Sequence, residues 1–413
     1  MMKEKQLYFL DLFAGAGGLS EGFLREGFVP VAFVEKDTNA CFTLKTRLAY
    51  YYLKSKNKIE TYNDYLLHKI FREELYDKIP ESIVNSVINK TISENTLEDI
   101  FKIIDTLKGK KKIDIIIGGP PCQAYSIIGR SRMGNKASRD ERNYLYQFYI
   151  EFLKKYKPAI FIFENVPGLL SAGNSKYFDE MINCFKKEKY EVQYNILNAA
   201  DFGVLQNRKR VFFAGYRKDV KFSFPVPEQE ASSNFTLKDI FEDLPLIKDG
   251  DSLSVVYYTK KANQYLIKSK IRNGVNFTTM HSTRSIRDLD KKIYKIAIEK
   301  FLKTGEQLDY NELPEYLKTH KNRNSFTDRF KVLNPDGLSH TIVAHLAKDG
   351  HYFIYPDPEN PRSISVREAA RIQSFPDDYY FEGSRTSMYQ QIGNAVPPLM
   401  AHKIAIKIKE LLK

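Results

Sequence analysis

Cys122 stands in a run Gly-Gly-Pro-Pro-Cys that follows directly after an apolar segment. The two prolines stiffen the chain just before the thiol, which would present it at a fixed position. A lone cysteine is more commonly a buried structural residue. A polar loop rich in glycine and proline is a poor place for such a residue, so Cys122 is predicted to be a nucleophile.

A carboxylate and two guanidinium groups follow later in the chain. Glu164 ends the next apolar segment, while Arg208 and Arg210 come just before another. The carboxyl ends of adjacent parallel strands open onto the same crevice, so Glu164 could face Cys122 across one bound ligand. Basic residues before a strand are often only solvated, and the two arginines are weaker candidates when considered alone.

Residues 11–18, Asp-Leu-Phe-Ala-Gly-Ala-Gly-Gly, contain three glycines where a strand gives way to a helix. Such glycines permit a tight turn and a close backbone approach, which suits a nucleotide-like ligand. The spacing departs from the dinucleotide fingerprint and is weak by itself. Glu35 strengthens it, because it ends the next strand about twenty residues on, where a carboxylate can accept both ribose hydroxyls. A surface carboxylate is the alternative.

These residues need a parallel sheet to bring them together. Most of the apolar runs lack alternation, which is typical of strands covered on both faces. Their alternation with amphipathic segments predicts an α/β fold, a Rossmann-like, doubly wound, mostly parallel sheet. Strands are predicted at residues 7–13, 29–35, 113–118, 159–164, 191–198 and 210–216, and helices from near Leu19 and at 234–244, 366–373 and 399–412.

The chain is predicted to form one large domain and one small one. Residues 1–246 form the first part of the large domain, and the helical-looking residues 46–112 are interpreted as an insertion. Residues 247–325 scatter basic and aromatic side chains without a clear period and form the candidate second domain. Residues 326–413 are expected to return to the large domain.

Composition narrows the function classes. The 413 residues include 64 Lys and Arg against 51 Asp and Glu, a net charge of +13, which favours a polyanionic partner such as nucleic acid. A protein that happens to be basic fits the charge equally well. Three cysteines are too few for a disulfide framework or a thiolate metal cage, and no metal is expected. Neither a signal peptide nor a bilayer-spanning run is apparent, so a soluble cytoplasmic protein is expected.

Several segments together resemble the DNA (cytosine-5)-methyltransferases of bacterial restriction-modification systems, a class I methyltransferase fold. The matching segments are residues 11–18, 34–37, 118–126, 164–166, 206–210, 367–376 and 391–398. Any one of them could arise by chance, but the full set in the family's order is very specific. A zinc deaminase is excluded, because no histidine is followed two positions later by Glu and Tyr125 stands where a second zinc-binding cysteine is required.

The resemblance implies a covalent reaction on a cytosine flipped out of duplex DNA. Cys122 is the implied nucleophile toward C6, and Glu164 would hold N3 and the exocyclic amine. Arg208, with Arg210 behind it, would hydrogen-bond the base carbonyl. Residues 123–143 resemble the loop that closes over the base, with Arg130, Arg132, Lys136, Arg139 and Arg142 for phosphate contacts.

The resemblance also implies S-adenosylmethionine as cofactor, with S-adenosylhomocysteine as product. The implied cofactor-binding residues are Phe13 against the adenine, Gly15, Gly17 and Gly18 along the amino-acid end, Glu35 at the ribose, Pro120 and Leu145 in the wall, and Asn394 at the carboxylate or amine. Lys36 replaces the large apolar residue of some members. Asp99 is one candidate for the acid that binds the adenine amine.

Residues 247–325 occupy the position of the family's target-recognition domain, which implies base readout in double-stranded DNA there. The resemblance also leads us to expect a partner restriction endonuclease that cuts the same unmethylated site. The enzyme is expected to act as a monomer in the bacterial cytosol or nucleoid. Two alternatives stay open: a tRNA cytosine-5 methyltransferase, and a non-catalytic DNA-binding subunit.

Overall fold

The computed structural model describes residues 5–120, 145–173, 175–217, 234–319 and 327–412. The strands in these ranges are β1 (Tyr8–Leu12), β2 (Val29–Glu35), β3 (Val87–Asn89), β4 (Ile115–Gly118), β5 (Ile160–Asn165), β6 (Tyr190–Asn198), β7 (Gln206–Asn207), β8 (Lys209–Arg217), β9 (Ser252–Tyr257), β10 (Phe277–Ser282) and β11 (Ser339–His340). Each of the six predicted strands is present.

The helices of the first half are α1 (Gly18–Arg25), α2 (Thr38–Ser55), α3 (Ile59–Leu66), α4 (Arg72–Tyr76), α5 (Glu81–Val84), α6 (Glu94–Lys108), α7 (Leu145–Tyr156) and α8 (Lys176–Lys187). Those of the second half are α9 (Leu237–Phe241), α10 (Gln264–Lys268), α11 (Asp288–Thr304), α12 (Val366–Ile372), α13 (Arg385–Asn394) and α14 (Pro398–Leu412). None of these helices is long and apolar enough to cross a bilayer.

A seven-stranded sheet in the order β3-β2-β1-β4-β5-β8-β6 forms the centre of the molecule. Strands β1 to β5 are parallel, and β8 runs antiparallel to both β5 and β6. Helices α6, α7 and α8 cover one face, while α1, α2 and α14 cover the other. The side chains of β1 alternate between these layers, with Leu10 and Leu12 on one side and Phe9 on the other. The predicted doubly wound, mostly parallel α/β fold is confirmed.

The range 46–112 differs from the predicted insertion. Helix α2 packs against the sheet, β3 pairs in parallel with β2, and α6 covers the sheet. Of these helices, only α3 and α4 lie outside these layers, and together with α5 they pack with Val255 and Phe277 of the antiparallel β9–β10 pair. A cavity of about 430 Å³ lies between α2–α3 and residues 273–275. Three residues of β3 are too short a run to be recognised as a strand.

The candidate recognition region, residues 247–325, shares its core with the segments that follow it. Tyr265 and Met280 pack in one apolar cluster with α12 and α13, and α11 packs against Phe330 and Ile354. A hydrogen bond also joins the two parts, because the Tyr258 hydroxyl donates to Asp377 Oδ2 at 2.7 Å, and Arg371 pairs with the same carboxylate at 2.6 Å. The domain boundaries stay a prediction.

Candidate active site

The predicted site residues meet where β1, β4 and β5 end side by side. Gly118 pairs with Leu12 on one side and with Phe163 on the other. The chain after each strand therefore opens onto the same crevice, which places the glycine loop, the start of the Cys122 loop and Glu164 together. Cys122 itself and residues 123–143 lie outside the described residues.

Two glycines let the Cys122 loop cross the ends of its neighbouring strands. Gly118 has a φ of 137°, and a Cβ there would lie 1.9 Å from the Leu12 carbonyl oxygen. At Gly119 a Cβ would lie 2.1 Å from the Glu164 carbonyl oxygen. No larger residue fits either place without moving the backbone, so the loop lies directly on the end of β5.

Glu164 and Arg210 form an ion pair at this edge. Arg210 Nε lies 3.0 Å from Glu164 Oε1, and the two side chains are 13% and 17% exposed. Burial raises the pKa of Glu164 above its ordinary value, although the positive charges of Arg210 and Arg208 oppose the rise. A carboxyl with a raised pKa holds its proton more readily and can donate it to a bound base.

The structure holds Arg208 by backbone carbonyl oxygens, whereas the sequence predicted a hydrogen bond to the base. Arg208 is 1% exposed, and its guanidinium donates to the backbone oxygens of Ile342, Gly393 and Ala395 at 2.5–3.1 Å. Arg208 therefore holds residues 342 and 393–395 next to the sheet, and Arg210 is the arginine that contacts Glu164. Arg208 lies between β7 and β8 and Arg210 lies within β8, so residue type and spacing did not predict which of the two arginines reaches the crevice.

The glycine loop, residues 13–18, is organised around Glu35. Its Oε2 accepts the Gly15 N–H at 2.8 Å, and its Oε1 accepts the backbone N–H groups of Lys36 and Asp37, each at 2.8 Å. Gly15 has a φ of 55°, and a Cβ there would meet no atom within 4 Å. Phe13, also at positive φ, is half-buried beside it. The loop thus leaves open space next to a carboxylate.

Gly17 and Gly18 are required for packing. A Cβ on Gly17 would lie 2.7 Å from Leu44 Cδ2, and one on Gly18 would lie 2.3 Å from the Val396 carbonyl oxygen. The chain just after α13 therefore rests on the start of α1. Asn394, the last residue of α13, is exposed beside this contact.

The remaining predicted residues lie at the same edge or begin next to it. Pro120 is buried, and its carbonyl oxygen accepts a hydrogen bond from Asn165 Nδ2 at 3.3 Å. Leu145 is half-buried as the first residue of α7. That helix is fixed to the sheet by Tyr149, whose hydroxyl contacts the carbonyl oxygens of Ile116 and Ile162.

Asn89 and Asp11 are two residues near the glycine loop that were not predicted as site residues from the sequence. Asn89 ends β3 directly beside Glu35 and donates to the carbonyl oxygens of Glu35 and Lys36 at 3.2 and 3.0 Å. Asp99, the acid considered for the adenine amine, is instead exposed on α6 and pairs with Lys90 at 3.7 Å. Asp11 is buried beneath the glycine loop, and burial raises its pKa to about 8, opposed by the Ser20 hydroxyl. The position of Asn89 beside Glu35 depends on the pairing of β3 with β2, so it could not be predicted from the sequence.

Within the described ranges, no group of three or more His, Cys, Asp and Glu side chains is arranged to hold a metal ion.

Comparison with known proteins decides the family. The sequence model of the C-5 cytosine-specific DNA methylases matches residues 7–71 and 76–410. The chain belongs to this family. It is therefore a DNA cytosine-5 methyltransferase, and the predicted family resemblance is confirmed.

Relatives in the family match along nearly the whole chain. The Type II methyltransferase M.Bpa9945I of Bacillus paralicheniformis is 42% identical, over 98% of this chain and 98% of its own. M.XorII of Xanthomonas oryzae pv. oryzae is 31% identical, over 98% and 85% respectively. Among solved structures, a prophage-encoded DNA modification methyltransferase from E. coli aligns with a TM-score of 0.64 at 24% identity, over 98% and 99%. That likeness supports the fold alone.

Proposed function

We propose that this methyltransferase uses S-adenosylmethionine to methylate C5 of a cytosine flipped out of a short specific duplex sequence, through a covalent bond between Cys122 and C6. The observation that carries the proposal is the Glu164–Arg210 pair, which lies against the start of the Cys122 loop. A proton donor beside a candidate thiol nucleophile is what addition to a cytosine ring needs.

The proposed reaction balances as follows. The Cys122 thiolate forms a bond to C6 while the Glu164 carboxyl gives a proton to N3, so the electrons of the C5–C6 double bond become available at C5. S-adenosylmethionine would supply an electrophilic methyl group to C5, and its sulfur would keep the bonding electrons and leave as S-adenosylhomocysteine. The C5 proton would then pass to water and the N3 proton return to Glu164, while the electrons of the C5–H bond re-form the C5–C6 double bond and release the thiolate.

Glu164 in its protonated form matches the edge of cytosine. Its hydroxyl would donate to N3, and its carbonyl oxygen would accept from the exocyclic amine. The raised pKa of Glu164 favours this form. Arg210, 3.0 Å from the carboxyl, is proposed to donate to the base carbonyl in place of Arg208, whose guanidinium is held by backbone oxygens.

The residues at the glycine loop fit the cofactor. Gly15 borders open space and Glu35 stands at its side, where Oε2 accepts one N–H and keeps a second lone pair for a ribose hydroxyl. Phe13 would pack on the adenine, and Asn394 would contact the amino-acid end. Asn89, beside Glu35, is proposed to face the adenine amine in the place of the acid expected there.

The substrate is proposed to be duplex DNA, read by residues 247–325. The net charge of +13 suits a polyanion. Residues 123–143 would contact phosphates and enclose the flipped base, and Pro120 and Leu145 would border the cofactor. We further propose that the enzyme acts as a monomer in the bacterial cytosol, and that it protects host DNA from a restriction endonuclease that cuts the same unmethylated sequence.

Transfer of labelled methyl groups to unmodified duplex DNA tests the proposal, with Cys122→Ser in parallel and base-resolved mapping of the product. The expected result is 5-methylcytosine at one short sequence, absent in the variant. Labelling of matched RNA instead of DNA would support a tRNA methyltransferase. Transfer by the serine variant at the wild-type rate would exclude Cys122 as the nucleophile.

A further inference from the structure

Asn165 follows Glu164 directly and is the last residue of β5. Its side chain is 2% exposed and makes two hydrogen bonds. Oδ1 accepts the Val166 N–H at 2.9 Å, and Nδ2 donates to the Pro120 carbonyl oxygen at 3.3 Å. Since an N–H can only face the carbonyl end of the amide, the Val166 contact fixes the amide orientation and directs the –NH₂ group at Pro120.

The hydrogen bond to Pro120 acts on the part of the chain that leads to the nucleophile. Gly119 lies on the Glu164 carbonyl oxygen, where a Cβ would be 2.1 Å away, and Pro120 is next. Cys122 follows Pro120 by two positions in the sequence. Pro120 fixes one of its own backbone torsions, so the hydrogen bond from Asn165 acts on a part of the chain that already has little freedom.

We propose that Asn165 is a positioning residue, whose carboxamide holds the Pro120 carbonyl, two positions before Cys122, against the end of β5 beside Glu164. The inference rests on the proposed function, because it needs Cys122 as the nucleophile. Two consecutive residues of β5 then serve the same base: Glu164 contacts it, and Asn165 fixes the start of the segment that attacks it.

Two substitutions separate this role from a purely structural one. Asn165→Asp keeps the size of the side chain and the acceptor for Val166, but it replaces the donor with an oxygen that repels the Pro120 carbonyl. Asn165→Ala removes both hydrogen bonds. If only the Val166 contact matters, the aspartate variant behaves as wild type; if the Pro120 contact matters, it is as slow as the alanine variant.

The measurement is the single-turnover rate of covalent adduct formation on a duplex with 5-fluorocytosine at the target position. Fluorine cannot leave C5 as a proton does, so the adduct persists and survives denaturing electrophoresis. Both variants are expected to form it about 100-fold more slowly. Their affinity for S-adenosylhomocysteine should stay within about threefold of wild type, since Asn165 holds the nucleophile segment. Asn85→Ala, an exposed amide on the surface near α5, is the matched control.

Three outcomes would overturn the inference: a wild-type adduct rate for Asn165→Asp, an equal loss of cofactor affinity and adduct rate, or unfolding of both variants, which would make Asn165 a structural residue. A wild-type enzyme that forms no adduct at all would instead refute the proposed covalent mechanism. The two failures are therefore distinguishable.

Discussion

Replacing Arg210 with methionine tests whether this guanidinium controls the proton on Glu164. The variant keeps the aliphatic stem and removes the charge whose Nε lies 3.0 Å from Glu164 Oε1. With the charge centres about 4 Å apart and an effective dielectric constant of about 20, Coulomb's law gives about 4 kcal/mol. Both side chains keep some solvent contact, so we take half of this, about 2 kcal/mol.

An energy of about 2 kcal/mol changes the ratio of carboxylic acid to carboxylate about 30-fold. The pKa of Glu164, already raised by burial, should rise further in Arg210→Met. The variant also loses a donor to the base carbonyl, which should slow methyl transfer by about 100- to 1,000-fold. We therefore expect a slower reaction at every pH, with its decline in alkali displaced to higher pH.

The assay is single-turnover methyl transfer at saturating DNA and cofactor, followed across the pH range from about 5.5 to 9.5. Lys209→Met, an exposed neighbour on the other side of β8, is the control for lost charge and should leave the profile unchanged. A profile for Arg210→Met that differs from wild type only by a constant factor would refute the idea that Arg210 sets the protonation of Glu164.

Three further predictions concern the same edge of the sheet. Glu164→Gln keeps a donor and an acceptor for the base but has no proton to transfer, so single-turnover methylation should slow by about 100- to 10,000-fold while gel-shift affinity for DNA stays within about threefold; equal losses would contradict this. Arg208→Met leaves buried carbonyl oxygens without their donor and should lower the free energy of unfolding in urea by about 3 kcal/mol, whereas an unchanged midpoint would argue against a structural role. Asp11 has a folded-state pKa of about 8, above the unfolded value of about 4, so its protonation stabilises the fold at low pH and this stabilisation is lost as the pH rises toward 8, by up to about 1.4 kcal/mol per pH unit. The difference in unfolding free energy between wild type and Asp11→Asn should fall accordingly from pH 5 to 8; a constant difference would show that Asp11 is ionised throughout.

The family and the fold were predictable from the sequence because local chemistry fixes them. Buried parallel strands require continuous apolar runs, and the loops after them must carry the reactive groups. Gly118 and Gly119 are likewise required by their immediate surroundings, since a Cβ at either position would strike the neighbouring strand. The residues around Cys122 and Glu164, which are proposed to be catalytic, therefore form patterns of consecutive residues that can be recognised in the sequence.

Contacts between distant segments were decided only by the tertiary structure. Strand β3 is too short to recognise, so neither its place beside β2 nor the position of Asn89 next to Glu35 could be predicted. Arg208 and Arg210 have the same residue type and stand two positions apart. Their roles differ because Arg208 meets backbone oxygens more than 130 positions away, while Arg210 meets Glu164. The sequence by itself determined the family and the types of reactive side chain. Packing determined which of two similar side chains, such as Arg208 and Arg210, reaches the crevice. The physical reason is that burial and hydrogen-bond partners depend on segments that are remote along the chain.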